Sequence, residues 1–148
     1  MTNAICTRTQ IDPRGPRFGA TLTSVVLVAA IVFISTPIGP VLVAWQTIVF
    51  GLGAFVGLHA QPYGALYRAL VQPRLARPTE LEDAAGPRFA QGVGFAMLAA
   101  ALVSVLLGLT TVATILLAFA LAAAFLNAAF GLCLGCEMRV LGLRVLSR

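Results

Sequence analysis

From Phe18 to Ala60 the chain reads FGATLTSVVLVAAIVFISTPIGPVLVAWQTIVFGLGAFVGLHA, without a single Arg, Lys, Asp or Glu. Crossing a hydrocarbon core takes roughly 20 apolar residues of helix at about 1.5 Å each, so this stretch is long enough to cross twice. Ser35-Thr36-Pro37-Ile38-Gly39-Pro40 supplies the break, because two prolines and a glycine stop one helix and start the next. The stretch therefore reads as a hairpin with crossings near residues 18–36 and 41–60. A second uncharged block runs from Phe89 to Cys136 and breaks at Gly108-Leu109-Thr110-Thr111, giving crossings near 89–108 and 112–134.

The rest of the composition agrees. The chain is 148 residues long, 59% hydrophobic and 10% charged, with a mean hydropathy of +0.96, which excludes an ordinary soluble domain. Lysine is absent, and the arginines fall in the N-terminal tail, the linker between the blocks and the C-terminal tail, while both hairpin tips have none. Positive charge is retained inside. The expected location is thus a cytoplasmic membrane, multi-pass, with both termini and the linker cytoplasmic. A net charge of +5 at membrane ends points to anionic headgroups rather than nucleic acid, for which a folded basic domain would be needed. The first apolar segment follows Arg8, Arg14 and Arg17 but is too long for a signal-peptide core, and is expected to remain as an anchor.

Asp12-Pro13-Arg14-Gly15-Pro16-Arg17-Phe18 and Asp83-Ala84-Ala85-Gly86-Pro87-Arg88-Phe89 match at a constant offset of 71. Each precedes the first crossing of a hairpin, so the two copies enter the bilayer from the same side, as a parallel repeat. The expected fold is all-α: a polytopic membrane protein of four transmembrane helices arranged as two parallel-repeat hairpins, with short interfacial helices in the linker and tail. Residues 1–148 form one membrane domain, divided into hairpin 12–61, linker 62–82, hairpin 83–136 and tail 137–148. Structurally, Pro suits a first helical turn, Arg reaches phosphates and Phe sits at the interface. Functionally, Asp12, Arg17, Asp83 and Arg88 are candidates for a charged mouth that binds a polar ligand or partner. A weaker echo at offset 74 sets Phe55-Val56-Gly57-Leu58-His59 against Ala129-Phe130-Gly131-Leu132-Cys133.

In the linker, Tyr63, Leu66, Tyr67 and Leu70 share a helical stripe, as in a short helix lying on the membrane. Thr79-Glu80-Leu81-Glu82 has capping-box spacing, which predicts a brief helical turn before Gly86-Pro87. In the tail, Arg139 and Arg144 interrupt an apolar run suited to lipid contact. Inside the crossings the notable polar residues are Gln46, Thr47, Ser104, Thr114 and Asn127. None is ionisable, which argues against proton-coupled transport. Gln46 and Asn127 are expected to bond between helices, and Gly53-x-x-x-Gly57 to permit close packing. Trp45 is placed in the far aromatic belt, and Tyr63 and Tyr67 in the near one.

Cys133-Leu134-Gly135-Cys136 has the spacing of thiol-disulfide exchange and of half a zinc site. On an unbroken helix the two Cβ atoms stand about 5–6 Å apart, too far for a disulfide, so Gly135 is expected to relax the helix. At the C-terminal pole of the fourth crossing the dipole opposes a thiolate; a helix starting beyond Gly135 would instead put Cys136 near an N-terminus and make it the nucleophile. Cys6, His59, Cys133 and Cys136 fall on one expected side, the donor set of a Cys₃His zinc site if the tail folded back. Inert small residues at a helix end are the third reading. No metal ligand and no cofactor is assigned, and a stand-alone enzyme is not the expectation.

Together, the Asp12–Phe18 segment, Pro62-Tyr63-Gly64, Pro73-Arg74-Leu75, Glu80-Leu81-Glu82-Asp83, Pro87-Arg88-Phe89-Ala90-Gln91 and Cys133-Leu134-Gly135-Cys136-Glu137 resemble the small bacterial membrane proteins grouped as domain of unknown function 4395. The resemblance spans nearly the whole chain. It implies a four-helix membrane protein without assigned activity, whose relatives lie near thioredoxin-like or sulfurtransferase proteins. The leading expectation is a Cys133/Cys136 pair that exchanges electrons or sulfur with such a soluble partner. The alternatives are a non-enzymatic scaffold or stabilising subunit of a membrane complex, and passage of a small solute through a homo-oligomer.

Overall fold

The computed structural model describes residues 9–147. Cys6, and with it the Cys₃His set, lies outside the described residues. Four helices are long and apolar enough to cross a membrane. α1 is Arg14–Val32, and α2, Ile38–Gly51, continues through a π-helical turn, Leu52–Val56. A short helix α3, Pro62–Leu66, and a second π turn, Tyr67–Val71, follow in the linker. The second half contains α4, Ala85–Leu106, α5, Thr110–Phe130, and a tail helix α6, Leu134–Leu146. The all-α membrane fold is the one expected, apart from one small ribbon.

That ribbon joins the two Gly-Pro-Arg-Phe segments. β1, Gln10–Ile11, pairs antiparallel with β2, Glu82–Asp83, in the register Gln10↔Asp83 and Ile11↔Glu82. The expected capping-box turn is therefore absent, because Glu82 is committed to the ribbon. Beyond it both helices start alike: Asp12 Oδ1 accepts the Arg14 N–H and Asp83 Oδ1 the Ala85 N–H, each at 3.0 Å. Satisfying these first amides starts α1 and α4 four residues before the expected crossings.

Four helices close a ring in which α1 neighbours α2 and α5, and α4 neighbours the same two. Leu27, Ala30, Val43, Leu98, Ala101, Leu117 and Ala120 fill its centre. Val25, Val32, Ile48, Phe55, Leu106 and Phe119 are each more than half exposed, so large apolar side chains face outward, as a lipid solvent requires. The hydroxyls of Ser24, Thr47, Ser104 and Thr114 bond the carbonyl four residues back. Gln46, fully buried, donates to Thr23 Oγ1 at 3.1 Å and accepts from the Tyr63 hydroxyl at 2.9 Å.

Several local expectations change. Trp45 Nε1 donates to the Tyr63 hydroxyl at 3.1 Å, so Trp45 belongs to the Gln46 network instead of a far-side belt. Tyr63 and Tyr67 are buried while Leu66 and Leu70 are exposed; glycines at 15 and 19 leave room for the rings against α1, splitting the predicted stripe. Gly57 ends the helix at φ +133°, and a Cβ there would meet His59 at 2.9 Å, while one at Gly53 would meet Gln91 of α4 at 2.9 Å. Tight hairpin closure is visible at Gly39, where a Cβ would stand 2.5 Å from the Phe33 carbonyl oxygen.

Candidate functional site

The sulfur site is built by where α5 stops. Gly131 adopts φ +68°, a left-handed value that glycine takes without Cβ strain. The amides of Gly131 and Leu132 close on the carbonyls of Asn127 and Leu126. The helix therefore breaks before the Cys-x-x-Cys motif and not at Gly135. Cys133 becomes the N-cap of α6, and its sulfur accepts the Cys136 N–H at 3.3 Å. This corrects the expected order of the pair: Cys133 occupies the helix start and Cys136 lies one turn inside. The two Cα atoms are 5.2 Å apart and the sulfurs are joined as a disulfide.

Gly135 has a different task. It is buried against α4, where a Cβ would stand 2.5 Å from both Cα and Cβ of Ala90. The missing side chain lets α6 dock on the first turns of α4. Beside it, a Cβ at Gly86 would meet the Cys136 sulfur at 2.9 Å. One residue of the repeated Gly-Pro-Arg-Phe element is thus the seat of the second cysteine.

Cys133 opens onto a cavity of about 310 Å³ that runs between α1, α4 and α5 beneath the start of α6. Its walls are mostly apolar, with Phe50, Met97, Phe119 and a run of alanines on α5, and its polar groups are Thr23, Gln61, Gln91 and Asn127. Gln61 Nε2 donates to Gln91 Oε1 at 3.0 Å. Those two glutamines also wall a second cavity of about 250 Å³, which reaches Asp12 and Tyr67 under the ribbon.

The four candidate mouth residues share this end of the bundle but engage separately. Asp12 forms an ion pair with Arg14 at 2.9 Å and accepts the Tyr67 hydroxyl at 2.9 Å. The Arg14 guanidinium holds its carboxyl below the usual range, and burial raises the Tyr67 hydroxyl. Asp83 caps α4, and Arg88 donates to the carbonyls of Ala54 and Phe55 at 2.9 and 3.2 Å. Arg17 lies beside Gly131, its Nε 3.7 Å from where a Cβ would be. Each repeated arginine thus meets the C-terminal end of a neighbouring helix, where a cation complements the dipole; no ion pair joins either one to Asp12 or Asp83 among the described residues.

His59 is exposed on a short 3₁₀ turn. No cluster of three metal-ligating side chains occurs among the described residues. Sequence reasoning assigned no role to Gln61, or to Gln91 at the end of Pro87-Arg88-Phe89-Ala90-Gln91; they matter because α4 and the linker bring their amides together. Asn127, expected to bond between helices, makes no side-chain hydrogen bond among the described residues and instead lines the cavity.

The model of a family described as domain of unknown function (DUF4395) matches residues 11–144. No curated protein and no solved structure matches.

Proposed function

The chain belongs to the DUF4395 family, and from its geometry we propose that it is a membrane-embedded dithiol that exchanges electrons with a soluble thiol protein through Cys133 and Cys136. The observation that carries this reading is the N-cap position of Cys133. A sulfur at a helix start, accepting a backbone N–H, has its anionic form stabilised by the peptide dipoles. The thiolate is the form that attacks a disulfide. Cys133 is accordingly the nucleophile, and Cys136, seated one turn inside, is the resolving thiol.

The same reading includes the orientation. The ribbon, the linker and the tail helix all sit at the arginine-bearing end, which the positive-inside rule assigns to the cytoplasm of a bacterial plasma membrane. A thioredoxin-like or sulfurtransferase protein could reach the pair there. The matched starts of α1 and α4 support descent from a duplicated hairpin, with Arg17 and Arg88 as structural members of the two copies.

Trapping tests the exchange. In a Cys6→Ser background, the Cys136→Ser variant should accumulate a mixed disulfide with an oxidised soluble dithiol protein, seen on non-reducing gels, because the resolving thiol is gone. The Cys133→Ser variant should not. Equal trapping by both, or by neither, would sink the assignment. Preservation of the cellular phenotype in the double Cys→Ser variant would favour the scaffold alternative.

A further inference from the structure

We propose that the cavity beneath Cys133 is the site of a lipid-soluble quinone that takes the electrons of the dithiol. The inference rests on the exchange reading above and adds its membrane-side partner. A dithiol that serves a soluble protein needs a second redox partner, and the geometry favours one approaching from the bilayer. Cys133 lines the cavity and Cys136 does not. The cavity lies among membrane-spanning helices, and its wall includes Phe119, which is 65% exposed on the outer, lipid-facing surface.

Its size and chemistry fit a ring with two carbonyl oxygens. At about 310 Å³ it falls at the lower end of the roughly 300–1,000 Å³ range of small-molecule cavities. Apolar walls from Phe50 and Met97 suit a planar ring, and the amides of Gln91 and Asn127 supply hydrogen-bond donors. Gln91 accepts from Gln61 through its oxygen, and among the described residues neither its Nε2 nor the Asn127 side-chain amide makes a hydrogen bond, so both can donate to a ligand in the cavity they line. An apolar tail would leave past Phe119 into lipid. A larger lipid-facing concavity of about 540 Å³ between α1 and α5 has Ser24 as its one hydroxyl, and that group is already bonded to the Ala20 carbonyl. It offers a quinone nothing to bond.

The step balances without another reagent. The S–H bonds of Cys133 and Cys136 break and one S–S bond forms. Two electrons and two protons pass to the two quinone oxygens, giving a quinol. The soluble dithiol protein then reduces the disulfide: its thiolate attacks the Cys133 sulfur, Cys136 leaves and takes up a proton, and its second thiol displaces Cys133. Electrons thus flow from soluble thiols to the membrane quinone pool, and the trapping reaction is this same exchange run in reverse through the same mixed disulfide.

The test uses the full chain in lipid nanodiscs, reduced and freed of reductant, in a Cys6→Ser background. A short-tailed, fully ring-substituted ubiquinone analogue is added, and quinone absorbance and free thiols are followed together. We expect one quinone consumed for each pair of thiols lost, with no covalent adduct by mass spectrometry, and no reaction in Cys133→Ser. Ala123→Phe, which fills the cavity, should slow the reaction at least tenfold while the mixed-disulfide trapping described above stays unchanged. Ala124→Phe serves the same purpose should the first variant fail to keep its unfolding midpoint. Normal trapping without quinone consumption, or an unchanged rate in a folded cavity-filled variant, overturns the quinone site and leaves the exchange reading standing. Failure of the Cys136→Ser variant to trap the soluble protein, with the cavity residues unchanged, removes both.

Discussion

After α2 the chain turns at Gly57 and lays two tyrosines against α1; after α5 it turns at Gly131 and lays Gly135 and Cys136 against α4. The seats correspond at the repeat offset. Gly15 faces Tyr67 and Gly19 faces Tyr63, while Gly86 faces Cys136 and Ala90 faces Gly135. In the first half the seated groups are locked: the Tyr67 hydroxyl is held by Asp12 and that of Tyr63 by Gln46 and Trp45. In the second half, Cys133 accepts one backbone N–H and borders a cavity. One folding device, a short helix turned back on the first turns of its own hairpin, serves packing in the first half and leaves the cysteine pair beside a cavity in the second.

Substitutions at the matched seats should break or sharpen that contrast. The largest effect is expected from Gly135→Ala, whose new methyl would strike the backbone of Ala90, which cannot rotate aside. A loss of about 3 kcal/mol is expected, the upper end of ordinary overpacking, together with faster labelling of the undocked thiols. Gly19→Ala meets Tyr63 Cβ at an unstrained 3.8 Å and should be neutral or stabilise by up to about 1 kcal/mol through helix propensity. Thermal unfolding in detergent reads both. Equal shifts would show that the two seats are not used differently.

Next in size is Tyr63→Phe, which strips the fully buried Gln46 of a donor and Trp45 of an acceptor. The expected loss is about 1–3 kcal/mol, with thiol exchange at Cys133 unchanged. A change in exchange rate would show that the halves are coupled through the polar network. Gly131→Ala should cost about 1 kcal/mol, the strain of a left-handed alanine. It should also slow alkylation of Cys133, since the break before α6 becomes harder to hold. Retained reactivity would separate the helix start from the turn that creates it.

The smallest effect concerns pH and belongs to the first half. Asp12 is held below its ordinary value, chiefly by the hydrogen bond from Arg14. Its contribution is therefore present above the unfolded carboxylate range, near pH 3.9, and is lost as pH falls through the lower folded value. Asp12→Asn should flatten that acid limb of the unfolding midpoint and leave neutral pH little changed. An identical acid limb in the variant would remove Asp12 from the account.

The membrane fold was legible because hydrophobic length and charge placement constrain it strongly: two uncharged blocks, each broken once, allow few other arrangements. Helix starts were misplaced by four residues because Asp12 and Asp83 act through local carboxylate caps that hydropathy does not register. The thiol site was legible in composition but not in geometry. Cys-x-x-Cys advertised the pair, yet which cysteine begins α6 depended on Gly131 taking a positive φ, and glycine at 131 and glycine at 135 look alike in sequence. Only the close approach of Ala90 separates them, one glycine ending a helix and the other admitting a neighbour. The cavity left no trace in sequence, since Gln61 and Gln91 lie 30 residues apart and meet only through the folded linker.

The central claim is that Cys133, at the start of α6, is the nucleophile of the pair. Its most direct test is the alkylation rate of each lone thiol at neutral pH, with Cys6 replaced, comparing Cys136→Ser with Cys133→Ser in the folded, membrane-reconstituted protein. The account predicts that Cys133 reacts at least tenfold faster than Cys136. Equal rates, or a faster Cys136, would contradict it.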